Sequence, residues 1–272
     1  MTNEHYFNGV SDCLIAIFSS PDALKYPSTF SRLLPYVLQL ESILDQCSPT
    51  TTDNRAENIT KLITQFGENL AQLIVQMSIA SESQSQAYAH QFCRLVMKCT
   101  EMKGQYPIDE TCSELTFNFW HALKDEVTSI NDETKQTVAQ QLFRPYFEHL
   151  IEVLIVKGQL PENEQLFSSE DKETFRTYRS NILDTMMCMY DVFGTRAMEI
   201  LANRLVISIE QTQSWQIQES IIRLFGTGSE YIQTDENQIL PKIFSLIPKL
   251  NFSHNSMINS TLIVLGRDFS SI

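Results

Sequence analysis

Glycine is scarce in this sequence, 8 of 272 residues, against a usual fraction of about 7%. Tight hairpins and phosphate-cradling loops draw on glycine's freedom at positive φ, so an all-β meander or a P-loop nucleotide site is a poor fit. Basic residues are also short: 20 Lys and Arg stand against 33 Asp and Glu, a formal charge of −13. Such a chain repels phosphate backbones and anionic lipid, which leaves nucleic acid and membranes as poor partners and basic protein surfaces as good ones. Long apolar runs are missing too. Stretches such as Leu14 to Phe18 fall far short of the roughly 20 residues that cross a bilayer, and MTNEHYFNGV has neither a basic nor an apolar leader region. A soluble, unsecreted protein is expected. The cysteines Cys13, Cys47, Cys93, Cys99, Cys112 and Cys188 lack paired spacing, so reduced, mostly buried thiols and a cytosolic or nuclear setting follow. The sequon-like Asn58 to Thr60 and Asn251 to Ser253 are then chance matches.

Helical periodicity is present almost everywhere. Leu115, Phe119, Trp120, Leu123 and Val127 form one apolar stripe, and Leu183, Met186, Met187, Tyr190 and Phe193 another. No alternation of period two lasts long enough to make a strand. Ser81-x-x-Gln84, Thr111-x-x-Glu114 and Ser168-x-x-Asp171 offer side-chain caps for first turns. Polar or Gly/Pro-bearing breaks at 48–54, 103–107, 157–167, Gly194 and 211–213 divide the pattern. The helices predicted are 3–19, 27–46, 54–79, 84–102, 109–129, 133–156, 170–193, 196–210, 214–232, 236–250 and 255–268.

A small internal repeat decides the architecture. Around Pro35, Pro145 and Pro241 an apolar residue stands two before (Leu33, Phe143, Ile239), another two after (Val37, Phe147, Ile243), and leucine five after (Leu40, Leu150, Leu246). An interior helical proline costs about 3 kcal/mol, so its return in one packing context points to a recurring unit, one face of a kinked helix. Three predicted helices separate successive signatures, which gives the marked helices one parity: the outer (A) members of stacked A–B hairpins. The expected fold is all-α, a right-handed HEAT-repeat superhelical solenoid. It is a single array over 1–272, with a half repeat at 1–26 and repeats near 27–80, 81–130, 131–194, 195–233 and 234–272.

Several segments go further than periodicity. Phe18-Ser-Ser-Pro-Asp-Ala-Leu-Lys-Tyr-Pro27 leads into the Pro35 helix, and Tyr106-Pro-Ile-Asp-Glu-Thr-Cys-Ser-Glu-Leu-Thr-Phe-Asn-Phe-Trp120 is followed by Ala122-Leu-Lys-Asp-Glu126. With Phe143-Arg-Pro-Tyr146 and Ser168-Ser-Glu-Asp-Lys-Glu-Thr-Phe-Arg-Thr-Tyr-Arg179, these resemble the importin-13 and transportin-SR branch of the importin-beta (karyopherin) nuclear transport receptors. The likeness runs from about residue 10 to 265 and resembles a portion from the middle of the family's amino-terminal half, a fragment or short isoform with a truncated-looking tail after Leu265. The resemblance implies a receptor that shuttles between cytoplasm and nucleus. Its partners would be protein cargo with basic surfaces, Ran-GTP and the FG repeats of nucleoporins, with no cofactor and no covalent chemistry. It further implies that inner B helices face cargo and Ran while grooves between outer A helices take FG phenylalanines. The competing class is a HEAT scaffold of a cytosolic phosphatase or ligase complex.

Candidate site residues are few. Glu162, Glu164, Glu170, Asp171 and Glu173 form an acidic stretch broken only by Lys172 among basic residues. Solvation with helix capping explains it, and so does a patch that meets basic Ran or cargo. Phe117 lies off the Phe119–Leu123 stripe and is the candidate FG contact; the neighbouring aromatics read as core. Arg176 and Arg179 are expected to pair with Glu173 or neighbouring carboxylates at the surface. His90, Cys93 and Cys99 lack the second ligand pair that zinc requires. No catalytic motif of the GxSxG, HExxH or Walker type occurs, and His121 with Asp125 or His149 with Glu152 lacks a nucleophile in sequence. No metal site and no enzyme are expected.

Overall fold

The computed structural model describes residues 2–20, 22–47, 54–162, 164–212, 214–231 and 238–250. The described residues are mostly helical and contain no strand. Helices α1 (Thr2–Phe18), α2 (Pro27–Leu38), α3 (Leu40–Leu44), α4 (Arg55–Asn69), α5 (Ala71–Ser78), α6 (Ser83–Thr100) and α7 (Phe117–Thr128) come first. After them come α8 (Glu133–Lys157), α9 (Ser169–Phe193), α10 (Thr195–Ile207), α11 (Trp215–Gly226) and α12 (Ile239–Leu246). The chain forms two compact units, 1–147 and 148–272, whose boundary falls inside α8. The predicted helix 255–268 lies outside the described residues.

In the first unit helices stack on alternate neighbours, as hairpin parity requires: α1 packs on α4 and α4 on α7, while α2 packs on α6. A train of aromatic rings fills the space between these layers. Phe18 meets Phe66 edge-on at 5.1 Å, Phe66 meets Phe92 at 5.6 Å, Phe92 meets Phe119 at 5.7 Å, and Phe119 meets Trp120 at 5.0 Å. Tilted and edge-on rings at these separations add to the hydrophobic burial that drives the stack. Gly67 makes the close approach possible, because a Cβ there would lie 2.6 Å from Phe92 Cε1 and 2.7 Å from Phe119 Cδ2. Trp120 Nε1 donates to Thr100 Oγ1 at 3.1 Å, which hydrogen-bonds Thr116 Oγ1 at 2.9 Å, so these three buried polar groups are satisfied by one another.

In the second unit α10 packs against α9, α11 and α12. Tyr190 of α9 donates to Leu224 O at 2.9 Å and stacks on Tyr231, whose hydroxyl donates to Asp191 Oδ1 at 2.6 Å. Ser220 Oγ donates to Ile155 O at 2.8 Å and ties α11 to the end of α8. Gly194, at φ 52°, reverses the chain between α9 and α10, and its N–H bonds back to Tyr190 O.

Several local expectations are corrected. The helix predicted at 54–79 breaks at Leu70 (φ −120°, ψ 21°), and that at 27–46 breaks at Gln39. Neither site carries proline or glycine; Leu70 is fully buried, and tertiary packing overrides local propensity there. The helix predicted to begin at 109 begins at Phe117, and Thr111 does not cap it. Buried Glu110 organises the preceding loop instead, accepting from Cys112 N at 2.8 Å, Ser113 N at 2.9 Å and Ser113 Oγ at 2.6 Å. The Ser81 cap is likewise absent, since α6 starts after Glu82 without a side-chain cap. Of the three signature prolines, Pro35 and Pro145 sit inside helices, but Pro241 is in the first turn of α12, where its missing N–H costs nothing. What the signatures share is the buried residue two positions on: Val37, Phe147 and Ile243.

Candidate partner-binding surfaces

The acidic stretch occupies the connection from α8 to α9 and the first turns of α9. A short 3-10 turn, Glu164–Leu166, follows exposed Glu162, and Ser168 caps α9 as its spacing predicts. Ser168 Oγ accepts from Asp171 N at 3.1 Å and donates to Asp171 Oδ2 at 2.6 Å. Asp171 is thus held by the cap, whereas Glu170 and Glu173 point into solvent and Glu164 is half-buried. Glu173 pairs with Arg176 at 2.7 Å, both exposed, an interaction worth only tenths of a kcal/mol. The carboxylates of Glu162, Glu164 and Glu170 have no ion-pair partner among the described residues. Beside them Leu166 is 83% exposed. The loop therefore presents negative charge with one apolar side chain at its centre.

Phe117 does not share that exposure. It is 4% exposed at the start of α7, inside the same core as Phe119 and Trp120, and a surface contact with an FG repeat would first have to pull it out. This corrects the expectation drawn from its place off the stripe.

Arg179 departs from expectation in the opposite direction. It pairs with no neighbouring surface acid but with Glu219 of α11, Nη2 to Oε2 at 2.5 Å, with the side chains 7% and 1% exposed. One turn beyond Glu219, half-buried Arg223 lies near both partners. Burial, and then the Arg179 charge, push the Arg223 guanidinium below its ordinary pKa, while Glu219 acts the other way. The Nε atoms of Arg179 and Arg223 are buried without a hydrogen-bond partner. The sequence carried a signal for the pair: Arg179 stands four after Phe175 and three before Ile182, on the apolar face of α9, and Glu219 stands three before Ile222 on that of α11.

Among the described residues no group of three or more His, Cys, Asp or Glu is placed to hold a metal. His90 instead stacks on Tyr146 at 5.9 Å with its Nδ1 3.1 Å from the tyrosine hydroxyl. Glu152 lies 3.0 Å from Arg204 of α10 and Asp125 lies 2.7 Å from Lys124. Burial raises the thiols of Cys99 to about 12 and Cys112 to about 11, which keeps them protonated and unreactive. No described helix is long and apolar enough to cross a membrane.

Comparison with known proteins gives this all-helical array a family. Residues 52–156 match the family described as the Transportin-3/Importin-13 second TPR domain, and residues 159–196 match the Importin 13 repeat. Human Importin-13 is 31% identical over 98% of the chain. The chain belongs to the importin-13 family of karyopherins. A solved structure titled "Importin13 cytosolic state" superimposes with a TM-score of 0.84 at 26% identity, covering 96% of this chain and 31% of that one. The chain therefore has the all-α helical-repeat solenoid fold of importin-13. Transportin MOS14 of Arabidopsis thaliana is 24% identical over 80% of the chain, and 23% of its own length is covered. The mRNA transport regulator MTR10 of Saccharomyces cerevisiae is 30% identical over 56% of the chain and 15% of its own length. The chain spans 28% of the length of the importin-13 relatives it matches. Within the importin-13 match, the acidic residues 162–173 and Arg179 fall in the Importin 13 repeat, and Phe117 falls in the domain before it.

Proposed function

We propose that the chain is the part of a nuclear transport receptor that binds protein partners during passage between cytoplasm and nucleus. The observation that carries this reading is the match to importin-13 along nearly the whole chain, in sequence and in fold. The partners proposed are Ran-GTP, protein cargo with basic surfaces and the FG repeats of nucleoporins. A formal charge of −13 suits the first two, because it attracts basic surfaces and speeds encounter with them. The exposed acids Glu162, Glu170 and Glu173, with Glu164 and Asp171 beside them, are the proposed point of contact. The work is binding, not catalysis. Ligands that favour different arrangements of a stacked-helix array recruit or exclude one another through that difference in affinity alone.

The test is retention of the purified chain on immobilised FG repeats and on Ran loaded with GTP or GDP. Binding to FG repeats, or to the GTP form in preference to the GDP form, supports the reading. A folded chain retained by none of them overturns it.

A further inference from the structure

The proline signature shows what one margin of the first unit lacks. In α8, Phe143 and Tyr146 flank Pro145 and face α6: the His90 ring lies 6.4 Å from Phe143 and stacks on Tyr146 at 5.9 Å. Leu150 and Val153, further along the same stripe, are buried too. At the same offsets from Pro35, α2 and α3 carry Leu33, Tyr36, Leu40 and Ile43. Here Tyr36 is 67% exposed, Ile43 is exposed and both leucines are half-buried. α2 packs on α6, yet no described helix covers this stripe as α6 covers that of α8. α1 shows the same want of a neighbour. It packs on α4, but Val10 is 59% and Ile17 53% exposed, with exposed Cys13 between them on one face. A Cβ on Gly9 would meet nothing within 4 Å. Phe18 of α1 meets Phe30 of α2 edge-on at 6.2 Å, so both stripes belong to one hairpin. Apolar side chains scattered singly over a surface need no explanation, whereas two uncharged stripes on one hairpin mark an interaction surface.

We infer that this margin of the α1–α2 hairpin is an interface between two copies of the chain, the stripes of one covering those of the other across a twofold axis. The covering element has to be helical, because a helix covers the equivalent stripe of α8. It has to bring an uncharged apolar stripe of its own, and the margin is itself such a surface. A twofold pair closes on itself, so neither margin is left over. α1 has 17 residues, hence a length of about 25 Å, and two helices side by side are about 20 Å wide. Such a face is smaller than the about 800 Å² per partner of a standard interface, so the pair should dissociate in the micromolar range. Each copy carries a formal charge of −13. Added salt should therefore strengthen the pair by screening that repulsion, the reverse of its effect on a contact with a basic partner. The interface does not depend on the transport reading, and the chain alone tests it without any transport ligand.

The experiment is sedimentation velocity of the full chain from micromolar to submillimolar concentration at low and high salt. A reductant is present, so that exposed Cys13 forms no interchain disulfide. The expected result is a reversible shift from monomer to dimer that moves to lower concentration as salt rises. Tyr36→Glu and Ile17→Glu, both at exposed positions, should each weaken the dimer by about tenfold or more, because each buries an unpaired carboxylate in the interface. Tyr36→Phe should keep the dimer. Leu166→Glu, at an equally exposed leucine of the second unit, is the control for added charge and should leave it unchanged. Circular dichroism checks that each variant is folded. A chain that stays monomeric throughout overturns the inference, and so does association that continues past the dimer. A dimer indifferent to both glutamates, weakened equally by Leu166→Glu, or dissociated by salt overturns it as well.

Discussion

Arg179 and Glu219 show how far one residue's burial changes what it does. At the surface the pair would contribute little, yet with both side chains nearly inaccessible each is the condition for the other's charge. Arg179→Ala or Glu219→Ala should lower unfolding stability by about 3–5 kcal/mol in urea titration, because each leaves a charge without its counter-charge. Replacing both by apolar residues of similar volume should cost much less than the sum of the single changes; full additivity would argue against a coupled pair. His90 offers a pH test. Burial, and then Arg94, lower its pKa from the ordinary imidazole value of 6.5, so the unfolded chain takes up the proton first. Its contribution to stability is present above 6.5 and is lost as pH falls from there through the lowered folded value. His90→Gln should flatten the acid side of the stability profile in that window; an unchanged slope would show that other groups set it. The place of Arg179 on its apolar face was legible in the sequence, whereas its partner, 40 residues away, was not. The burial of Phe117 was illegible for a related reason: a residue off the stripe on one helix is enclosed by other parts of the chain.

Among whole elements, boundaries were legible where local chemistry makes them. Ser168 caps α9 and Gly194 ends it, both at the positions that capping and positive φ select. The breaks at Gln39 and Leu70, and the loop built around Glu110, come from packing between segments and leave no trace in local composition. The prolines divide in the same way. Pro145 interrupts the hydrogen bonding of α8, whereas Pro241 occupies a first turn with no bond to lose. Pro145→Ala should therefore stabilise the chain by up to about 3 kcal/mol, less about 0.4–1 kcal/mol for the greater freedom of the unfolded state. Pro241→Ala should change stability little, and a comparable gain at both positions in thermal or urea unfolding would show that helix interruption is not the cost at 145.

For the molecule as a whole, fold and family were legible because repeat parity, helical periodicity and motif likeness agree along the chain. Partner residues were not, because exposed acids look alike whether they solvate a loop or receive a ligand. Kinetics separates those roles. Changing Glu170, Asp171 and Glu173 to lysine should slow association with Ran-GTP and flatten its dependence on salt, since screening weakens an attraction that the variant lacks. Unchanged rates at low ionic strength would return the stretch to helix capping. Binding of the ligands of nuclear transport is the property proposed for this helical array. Its most direct test is the affinity of the purified chain for Ran-GTP and Ran-GDP at two salt concentrations, with FG repeats as a second ligand in the same experiment. Tighter binding of the GTP form, weakening as salt rises, is expected together with retention on FG repeats. Absence of any nucleotide preference, with no FG binding, would contradict it.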